Sequence, residues 1–357
     1  MEKSDDKSPL TVSAVTLRAF VGAIFVLAGM SEAHAATVAD VLVWANLRGT
    51  DAHGVSRVPR YLEMINAGDL NPKPHITVHA ETAASVLIDA DRAAGPVAMT
   101  AAMDAAAGKA RDMGIGLALV RSTTHTAALG YYALRAAGEG IAAIATAASV
   151  PNMAYHGARA AGVSTSPLCI AVPGGGHGPI VLDMGSGIVS LGRLAQARRL
   201  GEPIPEGWAL DKDGSPTTDA QRAEIPLPLA GPKGSGLSLM VECLTSLIVS
   251  NPILADTVGQ PAKGRRHRQN GLAIAIDVAR FGNVAAFGRE VDRLVAALKA
   301  LPRAAGVEIL MPGERGSRAF EKRNRDGIPL PRAICGELQV LADRAGVPMF
   351  EATPGGA

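Results

Sequence analysis

The chain has 357 residues, enough for one large domain or for two to three smaller ones. Apolar residues make up 48% of the chain but aromatic residues only 3%, so Ala, Val, Leu and Ile must fill the core. The 35 basic and 33 acidic residues nearly cancel, which argues against a nucleic-acid partner. The three cysteines are widely spaced and form no CxxC pair, which argues against a disulfide framework and favours a reducing, cytoplasmic setting.

The first predicted element allows two interpretations. Residues 16–35 combine a basic residue, an apolar run and an A-H-A ending, as a secretory signal does. The alternative is a core helix, which the acidic extreme N-terminus favours. The apolar run from Ala19 to Met30 is too short to span a bilayer, which takes about 20 residues. The pattern favours the helix, and we expect no membrane partner.

The hydrophobic periodicity that follows indicates alternating helices and strands. Helices are predicted over roughly 11–29, from Ser31 through "AATVADVLVWANLRG", in "RVPRYLEMINAGDL" and over 96–113. Strands are predicted at "HITVHA", "SVLIDAD", "IGLALVRS", "IAAIATAASV", "IVLD" and "GLAIAID". Further helices are expected after His125, after "GPKGSG" and at "EVDRLVAALKAL", with a polar, Pro-rich excursion over 201–230. This alternation predicts an α/β protein.

The sequence gives little support for a metal site or for a serine nucleophile. His75 and His79 lie four residues apart in a predicted strand, and no HExxH helix completes a metal site, so we expect no metal. No G-x-S-x-G elbow is present, which leaves a serine hydrolase unsupported.

The "GPKGSG" loop at 231–236 is a candidate anion site. It is neither a Walker A loop nor a G-x-G-x-x-G fingerprint. Its glycines and Lys233 nevertheless lead into an apolar helix from Leu237, and backbone N–H groups at a helix N-terminus attract anions. A plain connection with glycines for packing explains the spacing equally well. The basic run "GRRHR" at 264–268 is interpreted as a solvated loop.

His53 and His125 are the candidate acid–base groups. Each lies in a short polar turn, and arginines are close in sequence to one or the other (Arg48, Arg57, Arg60 and Arg121). An imidazole can pass a proton to a carbonyl oxygen while hydride arrives at carbon, and an arginine can bind a carboxylate with two hydrogen bonds. An isolated histidine is more often structural. The residues alone therefore indicate a soluble α/β protein with an anion-binding loop and two candidate acid–base histidines.

Several ordered motifs add a family resemblance. They are "ADVLVWANLRGTDAHGVSRVPRYLEMINAGDLNP", "HTAALGYYALRAAGEG", "PIVLDMGSG", "GEPIPEGWALDKDGSPTTD", "GPKGSGLSLMVE" and "LMPGER". Together they resemble the malate/L-lactate dehydrogenase-like NAD(P)-dependent oxidoreductases. That family includes ureidoglycolate, sulfolactate and diketogulonate dehydrogenases and the reductases of piperideine- and pyrroline-2-carboxylate. The resemblance runs from about residue 11 to about residue 330.

The resemblance implies a family-specific, non-Rossmann NAD(P)-binding α/β fold with a helical N-terminal region. It also implies a homodimer with the active site near the subunit interface, and it places "AHA" inside the first two helices. We expect three regions along the chain. They are a helical region with the histidine turn (1–72), a smaller discontinuous α/β domain (73–118 plus 298–357) and an NAD(P)-binding domain (119–297).

The resemblance also implies roles for individual residues. His53 matches the family's proton-donating histidine, and His125 matches a second active-site histidine that some members use as the acid or base. Arg57 and Thr165 match substrate-binding positions, with Arg57 facing the carboxylate. The cofactor is NAD or NADP, with NAD favoured, and its contacts match Ser149, Asp183, Met184, Gly185, Lys233, Gly313, Glu314 and Arg315.

This chain departs from the family pattern at several of these sites. Ala52 stands where a serine usually precedes the first histidine, and Ala148 stands where an asparagine precedes Ser149. Ser166 replaces the asparagine of a T-N-P triplet, "DMGSG" replaces a "DMATS"-like turn, and Arg193 replaces a lysine. These differences bear on substrate and cofactor contacts more than on the type of reaction.

The expected function is that of a cytoplasmic NAD(P)H-dependent oxidoreductase interconverting a small 2-oxo acid and its 2-hydroxy acid. His53 or His125 would move the proton, and Arg57 would hold the carboxylate of the small substrate. One alternative in the same fold is the reduction of a cyclic imine carboxylate. The others are a secreted binding protein and a non-catalytic dimeric scaffold.

Overall fold

The secondary structure follows the predicted alternation of helices and strands. A computed structural model describes residues 9–260 and 267–354, so residues 264–266 of the basic run lie outside the described residues. The helices are α1 (Ala14–Leu27), α2 (Glu32–Leu47), α3 (Val58–Asn66), α4 (Gly95–Met113), α5 (Gly130–Gly138), α6 (Leu191–Leu200), α7 (Pro232–Glu242), α8 (Leu254–Thr257), α9 (Val284–Lys299), α10 (Glu314–Asp326) and α11 (Arg332–Ala345). Single turns of 3₁₀-helix lie at Asp51–His53, Val55–Arg57 and Val278–Arg280, and a π-helix at Cys243–Leu247 continues α7.

The strands are short outside one central sheet. They are β1 (Leu10–Val12), β2 (Thr77–Glu81), β3 (Ser85–Asp89), β4 (Ile115–Thr123), β5 (Ile141–Ser149), β6 (Met153–Ala154), β7 (Ala161–Val163), β8 (Leu168–Val172), β9 (Ile180–Met184), β10 (Ala209–Leu210), β11 (Pro216–Thr217), β12 (Ile225–Pro226), β13 (Gln269–Asp277), β14 (Ile328–Leu330) and β15 (Thr353–Pro354). The Pro-rich excursion over 201–230 contains the small antiparallel sheet of β10, β11 and β12.

The chain forms two compact units. Unit 1 comprises the described residues up to Pro74 and from Leu310 onward, and unit 2 comprises His75 to Ile309. This division differs from the expected one, which separated 73–118 from the NAD(P)-binding region. The reason is strand pairing: β3 pairs in parallel with β4 and so belongs to the sheet of unit 2. In unit 1, β14 and β15 both pair with β1, which joins the two ends of the chain.

Unit 1 is mostly helical. Its antiparallel sheet has the order β14–β1–β15, α1 packs against α2, α10 packs against α2, and α11 contacts α1 and α3. Ser13 and Ser31 begin α1 and α2, since each side chain accepts a hydrogen bond from the backbone N–H three residues later. Phe25 and Tyr61 are fully buried between these helices, with ring centroids 6.0 Å apart. The apolar segment that imitates a signal sequence thus folds as α1.

A membrane-spanning helix was not expected from the N-terminal run. Across residues 9–260 and 267–354, the helices are all too short or too polar to cross a bilayer.

Unit 2 is built on a seven-stranded sheet with the order β2–β3–β4–β13–β5–β8–β9. The β3–β4 pair is parallel and is connected through α4, as a parallel pair requires, whereas the other neighbouring pairs are antiparallel. Helix α4 packs against β4 and β13, and α5 packs against β5 and β8. The expected α/β class, with a helical N-terminal region, is confirmed.

Small residues let α4 approach the sheet closely. A Cβ atom added at Gly116 of β4 would overlap the carbonyl oxygen of Ala106 in α4. A Cβ atom at Gly271 of β13 would overlap the sulfur of Met99 in the same helix. Small side chains let the helix and the sheet lie so close together that no large side chain is needed to fill the space between them. This explains how the interior packs with so few aromatic residues.

This contact predicts opposite effects for two glycine substitutions. Gly116→Ala should lower the free energy of unfolding by about 1–3 kcal/mol, because the backbone of α4 must shift to admit the methyl group. Gly108→Ala, in α4 itself, places the methyl group in open space and should raise stability by up to about 1 kcal/mol through helix propensity. Urea unfolding of both variants measures the difference. Equal effects would contradict the close packing.

Candidate active site

His53 lies in the tight turn between α2 and α3 of unit 1. The turn is held by the buried side chain of Asn46, whose Oδ1 accepts from the N–H of Val55 at 2.8 Å and whose Nδ2 donates to Asp51 Oδ1 at 2.6 Å. A Cβ atom at Gly54 would overlap the Asn46 amide, so the glycine permits this contact. The turn is thus anchored to α2 on both sides of the histidine.

Helix α10 provides a second anchor for the same turn. Arg323 binds Asp51 with two hydrogen bonds, Nη1 to Oδ1 at 2.7 Å and Nη2 to Oδ2 at 3.2 Å. Arg48, the residue directly after α2, donates to Ser317 Oγ at 2.9 Å and to the carbonyl oxygen of Gly313 at 3.0 Å. Both the His53 turn and the turn that begins at Gly313 are therefore fixed to α2 and α10.

Glu314 and Arg315, which the sequence motif places in that turn, are the first two residues of α10 and differ in their surroundings. The Glu314 carboxylate accepts from the N–H of Met311 at 3.0 Å and from Arg318 at 2.6 Å, so it supports the turn itself. Arg315 is exposed.

Burial is the main influence on the titration of His53. Burial, and after it the positive charge of Arg57, lower the pKa of His53 from 6.5 to about 4. The imidazole is therefore neutral at neutral pH. Arg57 Nε donates to the carbonyl oxygen of Ala52 at 2.6 Å, which fixes the plane of the guanidinium beside the histidine turn. A guanidinium held in this way presents its two terminal amino groups as a fork for a carboxylate.

Four segments that carry predicted site residues of unit 2 lie along one edge of the central sheet. Gln269, the first residue of β13, pairs with Thr123 at the end of β4 and with Ser149 at the end of β5. Leu168, the first residue of β8, pairs with Met184 at the end of β9. This register brings to the same edge the four segments that carry His125, Ser149, Thr165 and Asp183-Met184-Gly185.

Asp183 joins two of these segments. Its Oδ2 accepts from the N–H of Gly130 at 2.8 Å, at the first residue of α5. A carboxylate is stabilised at this position by the unpaired N–H groups and the dipole of the helix. The contact links the strand end at Met184 to the loop that contains His125. Asp183 therefore has a structural role that the sequence pattern does not reveal.

A buried chain of serine hydroxyls holds the loop before β8. Ser164 Oγ lies 2.6 Å from Ser166 Oγ, which lies 2.9 Å from Ser238 Oγ. The Ser238 hydroxyl donates back to the Ser164 carbonyl oxygen at 2.6 Å, so α7 is bound to the loop. Thr165 lies between the two loop serines, and its N–H donates to Asn152 Oδ1 at 2.8 Å. Ser166, a departure from the family pattern, is thus part of the scaffold that positions Thr165.

The structure corrects one element of the anion-site interpretation of "GPKGSG". The expected backbone donors are occupied, because Lys233 N–H donates to the Ala230 carbonyl oxygen and Gly234 N–H to that of Leu229, at 3.4 and 2.8 Å. The exposed Lys233 side chain and the positive end of α7 remain as the features that attract an anion. Gly234 serves packing, because a Cβ atom there would overlap the Ser186 carbonyl oxygen.

The two histidines of the predicted strand occupy separate surroundings, and only His79 lies in β2, since that strand begins at Thr77. His75 N–H donates to Asp91 Oδ2 at 3.0 Å, and His79 Nδ1 lies 3.4 Å from Arg121 Nη2. In the part of the chain that the structure describes, no three His, Cys, Asp or Glu side chains are grouped to hold a metal ion.

Comparisons with known proteins match nearly the whole chain. The sequence profile of the malate/L-lactate dehydrogenase family matches residues 12–339. The chain is 34% identical over 356 residues to malate dehydrogenase from Pyrococcus horikoshii, covering 96% of this chain and 97% of that protein. It is 30% identical over 346 residues to Delta(1)-pyrroline-2-carboxylate reductase from Ancylobacter novellus, covering 94% and 98%. The solved structure of sulfolactate dehydrogenase from Methanocaldococcus jannaschii superposes with a TM-score of 0.86 at 33% identity, covering 95% and 98%.

The fold and these matches define the class of protein. This class comprises the NAD(P)-dependent 2-hydroxy-acid dehydrogenases and the reductases related to them. Within this class, the chain belongs to the malate/L-lactate dehydrogenase family. The family resemblance inferred from the sequence motifs is confirmed.

The lowered pKa of His53 predicts a specific pH dependence of stability. Between pH 6.5 and about 4 the unfolded chain binds a proton that the folded protein does not, so the free energy of unfolding falls as the pH falls through this window. The loss should reach roughly 3 kcal/mol. His53→Gln should abolish this component, as the difference between urea titrations of the two proteins at pH 7 and pH 4.5 will show. An unchanged difference between the two pH values would contradict the desolvated state of His53.

Proposed function

We propose that the protein interconverts a small 2-oxo acid and its 2-hydroxy acid, with NAD as the favoured of the two nicotinamide cofactors. The observation that carries this proposal is the position of His53 in an anchored turn beside Arg57, whose guanidinium plane is fixed by the Ala52 carbonyl oxygen. Burial lowers the pKa of His53, which favours its neutral form. A 2-oxo acid presents a carbonyl oxygen, which needs a proton on reduction, next to a carboxylate, which a guanidinium binds. The pair His53 and Arg57 matches both groups.

The charge balance around His53 supports both directions of the reaction. In the oxidation of a hydroxy acid, the neutral imidazole accepts the hydroxyl proton as the C–H bond breaks. In the reduction of an oxo acid, the imidazolium donates that proton to the carbonyl oxygen. A substrate carboxylate bound to Arg57 would offset the positive charge that, after burial, lowers the pKa of His53. Protonation of His53 would therefore be easier in the substrate complex than in the free protein.

The residues of unit 2 fit an anionic, polar cofactor. Bound NAD(P)H would supply the hydride. The Lys233 ammonium, next to the positive end of α7, would bind phosphate or ribose oxygens. The Ser186 hydroxyl, in the turn after β9, is buried and without a hydrogen-bond partner among the described residues, so it is available to a polar ligand.

The other assignments complete the proposal. Ser149, Asp183, Met184, Gly185, Gly313, Glu314 and Arg315 would contact the cofactor, and Thr165 the substrate, at the positions that the family resemblance implies. The homodimer that the resemblance implies belongs to the same proposal. Sedimentation equilibrium of the purified protein tests it.

The deciding experiment is the initial rate of NADH and NADPH oxidation by the purified protein with a substrate panel. The panel contains pyruvate, oxaloacetate, sulfopyruvate, diketogulonate and a cyclic imine carboxylate. Turnover of one linear oxo acid supports the proposal and identifies the cofactor. If no compound is reduced although NADH binds, the protein is a non-catalytic member of its family.

One observation favours the imine as a second candidate substrate. Ala52 supplies no hydroxyl group beside His53, and a cyclic imine carboxylate can arrive already protonated, so it depends less on a proton from the protein. If the imine is the only compound of the panel that is reduced, the cyclic imine carboxylate is the substrate and the oxo acid is not. The carboxylate would be bound by Arg57 in either case.

The two histidines should respond differently to substitution. His53→Ala should lower kcat by roughly 10²- to 10⁴-fold, equivalent to about 3–5 kcal/mol of barrier, because the proton-transfer group is lost. His125→Ala should also lower kcat, but by a smaller factor, and steady-state kinetics with the best substrate of the panel compare the two. If kcat survives in His53→Ala and is lost in His125→Ala, the two roles are exchanged.

The pH profile provides an independent assignment of the base. For hydroxy-acid oxidation, kcat/KM should stay constant down to about pH 5 and fall only as the pH approaches the His53 pKa of about 4. An acid limb near 6.5, the pKa of an ordinary imidazole, would assign the proton transfer to a group other than His53.

A further inference from the structure

The end of β4 contains an irregularity directly before His125. On β13, Gln269 pairs with Thr123 and Gly271 with Val120, so Arg121 and Ser122 of β4 lie opposite the single residue Asn270. The extra residue is a β-bulge, and Ser122 has a left-handed backbone with φ of 57°. Serine rarely adopts this conformation, which costs on the order of 1 kcal/mol. A bulge of this kind redirects the chain that follows it.

The Asn270 side chain compensates for the hydrogen bonds that the bulge disrupts. Its Oδ1 accepts from the N–H of Ser122 at 3.0 Å and from Asn251 Nδ2 at 2.9 Å. Its Nδ2 donates to Ser246 Oγ at 3.0 Å and to the Asn251 carbonyl oxygen at 2.8 Å. Asn270 is fully buried, and these four bonds use both donors and both lone pairs of its amide.

The neighbouring side chain holds the other side of the same loop. Gln269 Oε1 accepts from the N–H of Thr126 at 3.0 Å, and the Tyr132 hydroxyl donates to the Thr126 carbonyl oxygen at 2.7 Å. The loop is also in close contact with the start of α4, because a Cβ atom at Gly95 would overlap the His125 carbonyl oxygen. Two consecutive residues of β13 therefore bind the backbone three residues before and one residue after His125.

We propose that Gln269 and Asn270 are positioning residues that fix the His125 imidazole by holding the backbone on both sides of it. We call the pair the amide clamp. Successive side chains of a strand point to opposite faces of the sheet, so the clamp holds the loop from opposite sides. The proposal deepens the proposed function and rests on it, since it makes the precise placement of His125 necessary for turnover.

Two pairs of variants separate the hydrogen bonds from the packing. Asn270→Leu keeps the approximate volume and removes every polar contact, whereas Asn270→Asp keeps the acceptor for the Ser122 N–H. Gln269→Met and Gln269→Glu form the same pair for the Thr126 N–H. We expect the apolar variants to lower kcat by about 10- to 100-fold with KM for the cofactor nearly unchanged, and Gln269→Glu to retain more activity than Gln269→Met. Asn270→Asp should retain less than Gln269→Glu, because it also loses the donors to Ser246 Oγ and the Asn251 carbonyl oxygen.

Asn283→Ala is the matched control for loss of an asparagine-to-backbone hydrogen bond. Asn283 caps α9 by accepting from the Ala286 N–H at 2.9 Å. The control should lose stability without losing kcat. A comparable loss of kcat in Asn283→Ala would overturn the assignment to the clamp, since the activity would then follow general stability.

A double-mutant cycle distinguishes positioning from general structural support. If Asn270 acts through His125, Asn270→Leu should cause no further loss of kcat in a His125→Ala background. An equal loss in both backgrounds would overturn the proposal. If Asn270→Leu does not fold, Gln269→Met is compared in the wild-type and His125→Ala backgrounds instead, and the same two outcomes support or overturn the proposal.

A spectroscopic measurement tests the clamp independently of turnover. The imidazole C–H resonance of His125, assigned by its absence in His125→Ala, is followed by NMR across pH in the wild type and in Gln269→Met. A changed chemical shift and titration midpoint support the clamp, and an unchanged titration overturns it. If the whole substrate panel is inactive, the proposed function fails, but this measurement still decides the proposal for Gln269 and Asn270.

Discussion

The pairing of β13 with β4 and β5 is the constraint on which the architecture of unit 2 depends. Strand β13 lies between two strands that precede it by more than a hundred residues, and its first residue is in register with the last residues of both. This alignment creates the sheet edge at which the loop of His125, the end of β5 and the turn after β9 come together. A shift of the β13 register by one residue would turn its polar first residues to the other face of the sheet, and these segments would no longer come together.

The two candidate acid–base histidines share one principle of support. Each lies in a tight turn whose backbone N–H groups cannot all be paired within a helix or strand, and in each a side-chain amide from a regular element accepts them. Asn46 of α2 does this for the turn of His53, and the amide clamp of β13 does it for the loop of His125. When the backbone N–H groups of a turn are hydrogen-bonded to a side-chain amide, the turn can be buried without the cost of an unpaired backbone group. In the turn of His53, this pairing permits the burial that lowers the pKa of the imidazole.

The sequence was a good guide where the determining pattern is local. Gly114 ends α4 in a left-handed conformation with φ of 85°, Ser31 begins α2, and the apolar runs form the strands of the central sheet, as periodicity and turn chemistry predict. Six ordered motifs, those around His53 and Lys233 among them, together identified the family. Such signals are contained in continuous stretches of the chain, so composition and spacing reveal them.

The features that the sequence did not reveal join residues distant along the chain. Gln269 and Asn270 look like an ordinary polar start to an apolar strand, and their partners in the loop of His125, Ser122 and Thr126, lie more than 140 residues away. The serine chain from Ser164 to Ser238 and the bond from Asp183 to the start of α5 leave no periodic pattern either. The occupied N–H groups of the "GPKGSG" loop show the same limit, because a glycine-rich spacing does not tell which carbonyl oxygens face it. The expected domain boundaries also cut β4, since strand neighbours are not encoded in sequence order.

The central position of β13 also determines the order in which the protein can be completed during synthesis. The ribosome makes β4 and β5 early, but about 120 residues separate Ser149 from Gln269, the strand start that must lie between them. At 5–20 residues per second this delay is on the order of ten seconds, during which both strands have an unpaired edge. Those edges, "IGLALVRS" and "IAAIATAAS", are among the most apolar stretches of the chain. The same insertion that assembles the candidate site thus leaves two apolar strand edges exposed while the rest of the chain is being synthesised.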